Sequence, residues 1–196
     1  MTDTITAIHD FWFGELDDKG LCKTDRNALW FGANEATDAR CRDLFGAPLA
    51  NALHGKLDSW TATDHGLVAL VVLLDQFPRN IHRGTAQAFS GDLRALALAQ
   101  DAITSSRHLE LPLIHRVFLY LPLEHSEELA LQEQCVALFE DLAQVSDHPR
   151  FTSFTRYAMA HRDVIAQFGR FPHRNAALGR SASAAELAYL EQHGGF

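Results

Sequence analysis

Apolar residues recur along most of the chain at the spacing of amphipathic helices, beginning with Ile5, Ile8 and Trp12. No segment alternates apolar and polar residues over the length of a strand. The pattern predicts an all-α protein of about eight to ten helices, whose short connections favour antiparallel helix pairs. No shift in composition marks a boundary, so we expect residues 1–196 to form a single helical domain.

The most apolar stretch predicts a buried central helix. Eight apolar residues run without a break from Leu67 to Leu74, with Thr63 or Asp64 as N-cap. Asp75 follows in the last turn, where the helix dipole disfavours a carboxylate, so we expect it to pair with Arg79 or Arg83.

Proline and glycine predict most of the other helix ends, because proline cannot donate the backbone hydrogen bond that continues a helix. Gly46 and Pro48 are expected to end a helix over residues 35–45 and to separate it from another over 49–54. Three further helices are expected to stop at Phe77-Pro78, at Leu121-Pro122 and at Gly169 to Pro172.

Capping residues predict where three later helices begin. Ser90 is expected to cap a helix that buries a face with Leu93 and Leu96. Pro149 suits the first position of a long helix, and Ser183-Ala184-Ala185-Glu186 matches a capping box.

Composition narrows the class of partner and the compartment. A formal charge of −8 opposes binding to nucleic acid and to anionic membranes. The longest apolar run is far shorter than the roughly 20 residues of a membrane span. Three cysteines without CxxC spacing, and an N-terminus without a signal-peptide pattern, indicate a cytoplasmic protein with reduced thiols.

Polar residues follow each of three predicted proline stops. We expect them to converge with His161, which lies four residues from both Tyr157 and Ile165 and should point inward. The candidate ligand-binding residues are Asp75, Arg79, Asn80, Glu124, His173, Arg174 and Asn175, and the candidate general bases are His125 and His161.

The motifs DFWFG, LDQFPRN, LPLEHSE and GRFPHRN resemble those of the bacterial family known as domain of unknown function 924. The resemblance covers nearly the whole chain. It implies a tetratricopeptide-like fold, although the sequence shows no clean 34-residue period. It implies no particular activity, substrate or cofactor.

Three functional hypotheses remain open. Arginine, histidine and asparagine side chains in one pocket suit a small anionic or polar ligand, because they bind carboxylate or phosphate through paired hydrogen bonds. An enzyme of hydrolase type would use His125 or His161 as general base, with metal assistance as a variant. In a third hypothesis the polar groups only satisfy one another, and the helical array binds a peptide. The sequence has no HExxH or paired metal-ligand spacing, so we predict no metal or other cofactor.

Overall fold

The computed structural model describes residues 3–195, which fold almost entirely into helices. Nine α-helices lie within these residues: α1 (Thr4–Trp12), α2 (Asn27–Phe31), α3 (Glu35–Leu53), α4 (Asp64–Ile81), α5 (Asp92–Thr104), α6 (Leu113–Glu124), α7 (Leu129–Val145), α8 (Pro149–Phe168) and α9 (Ala184–His193). Short 3-10 helices span Asp58–Ala62, Ala86–Phe89, Arg107–Glu110 and Pro172–Arg174. No strand occurs in the described chain, where one isolated β-bridge joins Leu16 and Cys22. The all-α prediction is confirmed.

The described chain divides into two compact units, and the first comprises residues 3–83 and 87–122. Its centre is α4, which contacts α1, α3 and α5. Every residue of α4 from Gly66 to Pro78 is buried, as the apolar run predicts. Thr63 caps this helix, since its hydroxyl accepts a hydrogen bond from the Gly66 N–H at 3.0 Å. Of the two predicted N-caps, Thr63 and Asp64, Thr63 is therefore the correct one.

The face that α5 buries differs from the prediction. Leu93 is 84% exposed, whereas Ala95, Ala99 and Ala102 are buried. Gly91 occupies the N-cap position in place of Ser90. A Cβ atom on Gly91 would lie 2.0 Å from the Leu74 carbonyl oxygen. The start of α5 therefore approaches the α4 backbone too closely for a larger residue, and small side chains line the contact.

The second unit comprises residues 84–86 and 123–195 of the described chain. Its two long helices, α7 and α8, pack against each other. Pro149 begins α8, and Gly169 ends it with a left-handed φ of 66°. The predicted capping box is present at α9, where Ser183 and Glu186 bond each other's backbone N–H groups.

Three prolines lie inside helices that they were predicted to end. Pro48 lies in α3, which runs unbroken from Glu35 to Leu53, and Pro78 and Pro122 lie near the C-terminal ends of α4 and α6. A proline removes one backbone hydrogen bond and crowds the preceding turn. The buried apolar side chains of these helices offset that cost, so the stops were wrong at all three positions.

Other predictions have mixed outcomes. All three cysteines are free, as expected. Within the described chain, no helix combines the length and apolar character that a membrane span requires. The single-domain organisation, the tetratricopeptide-like arrangement and the cytoplasmic location stay predictions.

Candidate functional site

The candidate residues of the first unit form an ion-pair network at the end of α4. Asp75 is fully buried, and Arg79 places Nη1 3.4 Å from Asp75 Oδ1. The same guanidinium makes two hydrogen bonds to Asp92, of 2.7 and 3.0 Å. Gln76 also donates to Asp75, at 2.5 Å. The expected pairing of Asp75 with Arg79 is confirmed. The Arg79 guanidinium lies between the carboxylates of Asp75 and Asp92.

Asn80 binds a different carboxylate, that of Asp38 on α3. Its Nδ2 donates to Asp38 Oδ1 at 2.9 Å, and Arg83 donates to both oxygens of Asp38 at 2.8 and 2.9 Å. The Arg83 hydrogen bonds lower the pKa of Asp38 below its ordinary value. The predicted residues of this unit thus contact local partners on α3, α4 and α5.

The second unit brings five of the candidate residues together. Glu124 is the last residue of α6, and its Oε1 lies 3.5 Å from Nδ1 of His161 on α8. His125, His173 and Arg174 lie close enough to His161 to lower its pKa electrostatically. We call Glu124, His125, His161, His173 and Arg174 the polar cluster. It joins two of the three polar segments and the inward-pointing histidine predicted from the sequence.

His161 is the buried centre of the polar cluster. It is 6% exposed, and burial lowers its pKa to about 3, so the ring is neutral near pH 7. Its Nδ1 lies 2.9 Å from the Tyr157 carbonyl oxygen, which can only accept, so Nδ1 carries the proton. Tyr157 itself is 57% exposed, although the sequence placed it on the buried face.

Phe171 brings the aromatic and cationic groups of this region together. The Arg174 guanidinium lies over the Phe171 ring, 4.5 Å from its centroid, and Arg174 is buried. The rings of His161 and His173 lie 5.6 and 5.5 Å from the same centroid. A guanidinium stacked on a ring has a fixed plane, which leaves its N–H groups oriented in fixed directions.

Comparison with known proteins identifies the family of this chain. Residues 8–194 match the family described as "Bacterial protein of unknown function (DUF924)". The chain belongs to the DUF924 family. This DUF924 chain is also similar to a solved structure, a protein of unknown function named ATU0120 from Agrobacterium tumefaciens. The two share 36% sequence identity and a TM-score of 0.79, over 96% of this chain and 97% of that chain. The search of curated proteins found no match.

Sequence reasoning missed Gln132, whose side chain hydrogen-bonds to the backbone on both sides of His125 in this DUF924 protein. The side chain is fully buried on α7, and its Nε2 donates to the carbonyl oxygens of Glu124 and Ser126 at 2.6 and 2.7 Å. It therefore caps the C-terminal end of α6 from a neighbouring helix. Its own Oε1 is buried without a hydrogen-bond partner. Nothing in the local sequence pairs Gln132 with α6, because the contact depends on how the two helices pack.

A group of three histidines in the first unit was also missed. His9 stacks on His65 with ring centroids 3.5 Å apart, and His115 lies 4.9 Å from His9. Burial lowers the pKa of His9 to about 4 and that of His115 to about 3. The three residues come from three separate helices, so their spacing in the sequence carries no signal of the cluster.

The predicted site residues of this DUF924 chain thus fall into two sets, one in each unit. Asp75, Arg79 and Asn80 belong to the first, and the polar cluster belongs to the second. Asn175, also in the second unit, hydrogen-bonds to Glu186 and Arg180. A single site that joins both sets stays a prediction, as do the assigned binding and catalytic roles.

Two cavities open elsewhere in the described chain. One of about 430 Å³ lies between α7 and α8 and includes Thr152, Arg156 and Met159 in its lining. The other, of about 330 Å³, lies in the first unit beside Asn80 and Arg83. Neither is lined by a residue of the polar cluster. Among the described residues, no group of three or more His, Cys, Asp or Glu side chains is arranged to hold a metal ion.

Proposed function

We propose that the second unit of this DUF924 protein binds a small anionic ligand at the polar cluster. The observation that carries the proposal is the grouping of Arg174, His125 and His173 around the buried His161 ring. Glu124 Oε1 lies 3.5 Å from His161 Nδ1, and Arg174, His125 and His173 lie close enough to His161 to act on it electrostatically. Arginine and histidine donors grouped around one buried ring suit a carboxylate or phosphate group.

The size of the ligand follows from the same packing. Glu124, His161 and Arg174 are buried, so little of the polar surface of the cluster is open to a long ligand. A compact oxyanion of the size of inorganic phosphate or acetate therefore suits the cluster better than an extended peptide. The peptide-binding hypothesis has its own groove to test, the open cavity between α7 and α8.

An enzyme remains the second candidate, with a constraint on its base. A general base works best when its pKa lies near the working pH. Burial lowers the pKa of His161 to about 3, so its neutral ring is a weak base and a hydrogen-bonding group first. This property favours binding over proton abstraction at His161 and leaves His125 as the candidate base for any reaction.

Ligand-dependent stability tests the proposal. Thermal unfolding is followed with millimolar phosphate and acetate at constant ionic strength, so that general salt effects cancel. We expect a saturable rise in melting temperature for the wild type and none for Arg174→Gln. Arg162→Gln is the matched control, because Arg162 also lies in the second unit and its guanidinium pairs with the adjacent Asp163. Equal rises in all three proteins, or none in the wild type, would contradict the proposal.

A further inference from the structure

An ion pair outside the polar cluster connects the two segments that carry most of its residues. Arg180 Nη1 lies 2.7 Å from Glu127 Oε2, and Arg180 Nη2 lies 3.0 Å from Glu127 Oε1. Glu127 follows His125 by two residues, in the connection between α6 and α7. This two-point contact fixes the relative orientation of the two side chains more firmly than a single hydrogen bond does.

The same two residues hold both ends of the Phe171–Asn175 segment, which contains His173 and Arg174. Glu127 Oε1 accepts the Phe171 N–H at 2.8 Å, and Arg180 Nη2 donates to the Phe171 carbonyl oxygen at 3.1 Å. At the other end, Arg180 Nε donates to Asn175 Oδ1 at 2.9 Å, and the Arg180 N–H donates to the Asn175 carbonyl oxygen at 2.8 Å. The segment is thus fixed at its first and last residues.

A second ion pair nearby provides an internal comparison. Arg170 makes two hydrogen bonds to Glu186, of 2.6 and 2.9 Å, and Glu186 also completes the capping box of α9. This pair connects the end of α8 to α9. Its hydrogen bonds do not reach the segment that carries His125. The two pairs resemble each other chemically, and both reach Asn175, since Asn175 Nδ2 donates to Glu186 Oε1 at 3.2 Å. Only the Glu127–Arg180 pair also includes a residue of the connection that carries His125.

We propose that Glu127 and Arg180 are positioning residues of the anion site, because their ion pair holds the His125 segment against the segment that carries His173 and Arg174. The proposal rests on the proposed function for its ligand. It assigns these two residues no contact with the anion, and their effect on binding acts through the geometry of the polar cluster.

The first test measures the affinity of the full chain for inorganic phosphate by titration calorimetry. Arg180→Gln and Glu127→Gln should each weaken binding at least tenfold, and Arg180→Lys should weaken it less, because lysine keeps the charge but not the two-point contact. Arg170→Gln is the matched control and should change the affinity less than twofold. If Arg180→Gln binds phosphate as tightly as the wild type, the proposal is wrong.

The second test needs no ligand and follows the His161 ring by NMR during a pH titration. If the ion pair holds the segments together, Arg180→Gln should let water reach His161 and raise its pKa towards the ordinary value, whereas Arg170→Gln should not. A wild type that binds no phosphate but shows this difference would refute the proposed function and still show that the ion pair positions the residues of the polar cluster. Equal His161 titrations in the two variants would overturn the positioning role, whatever the calorimetry shows. Variants are compared only where circular dichroism shows wild-type helix content.

Discussion

The buried charges at the end of α4 and the polar cluster of the second unit differ in the groups that they bring together. In the first unit, the Arg79 guanidinium lies between the carboxylates of Asp75 and Asp92, and opposite charges face each other directly. In the second, Glu124 shares its surroundings with Arg174 and three histidines. Stability alone explains an arginine that pairs directly with two carboxylates, whereas arginine and histidine donors grouped around one buried ring suit an anion.

The comparison also shows why buried charge by itself is weak evidence for function. The sequence assigned Asp75, Arg79 and His161 to the same kind of site, because each is a polar residue near an apolar helix. The structure gives Arg79 two carboxylate partners, and it places His161 near Arg174 and two further histidines in a buried setting that keeps its ring neutral. The first arrangement predicts large effects on stability, and the second predicts effects on ligand and proton binding.

The largest effect is expected at Arg79. Arg79→Ala removes the cation next to the fully buried Asp75 and should lower the free energy of unfolding by about 3–5 kcal/mol, the usual cost of breaking a buried pair. Urea unfolding followed by circular dichroism measures the change. A loss below about 1 kcal/mol would show that the α4 network does not depend on this charge.

The stabilisation by phosphate should depend on the polar cluster and not on the ion pairs of the first unit. At one hundred times its dissociation constant, phosphate should raise the free energy of unfolding of the wild type by about 2.7 kcal/mol. Arg174→Gln should lose this gain, whereas Arg83→Gln, which removes an arginine from the first unit, should keep it. The measurement is urea unfolding with and without phosphate at constant ionic strength. Equal gains in both variants would place the binding elsewhere than the polar cluster.

Acid should destabilise the protein partly through His161. Its pKa is about 3 in the fold, against roughly 6.5 for an exposed histidine, so the unfolded chain binds more protons between these values. Stability therefore falls as pH falls through this window, and the contribution between pH 7 and 5 is about 2 kcal/mol. His161→Gln should show a correspondingly smaller fall in urea unfolding experiments. An unchanged pH dependence would contradict the neutral, buried state of this ring.

The smallest effect is expected at Arg83. Its side chain is 46% exposed, and its ion pair with Asp38 is therefore well solvated. Arg83→Ala should lower the free energy of unfolding by less than about 1 kcal/mol in the same urea assay. A cost close to that of Arg79→Ala would show that exposure does not separate the two ion pairs.

Local chemistry explains which parts of the fold were predictable. Thr63, Pro149 and the Ser183–Glu186 capping box act on backbone groups within a few residues, so the sequence alone predicts them. The helix-ending effect of Pro48 and Pro78 is equally local, but tertiary packing overrides it. Tertiary packing also explains why Leu93 is exposed. The close contact between α4 and α5 favours alanine over leucine on the buried face of α5.

The candidate site was partly predictable for a related reason. The i to i+4 spacing of Asp75 and Arg79 predicts their pairing. Glu124 and Arg174 are predicted because they follow prolines near helix ends, and His161 because it lies on the buried face of its helix. The second unit brings the three together. Gln132 and Arg180 were not predicted, since their partners are distant in sequence or belong to loops whose path the helix pattern does not determine.

The most direct test of anion binding at the polar cluster follows histidine ring signals by NMR while phosphate is added to the wild-type chain. Anion binding at the cluster predicts saturable shifts for His125, His161 and His173, with one common dissociation constant, and no comparable shifts for His9 and His115 in the first unit. Cluster signals that stay unchanged, or signals that shift equally in both units, would contradict it.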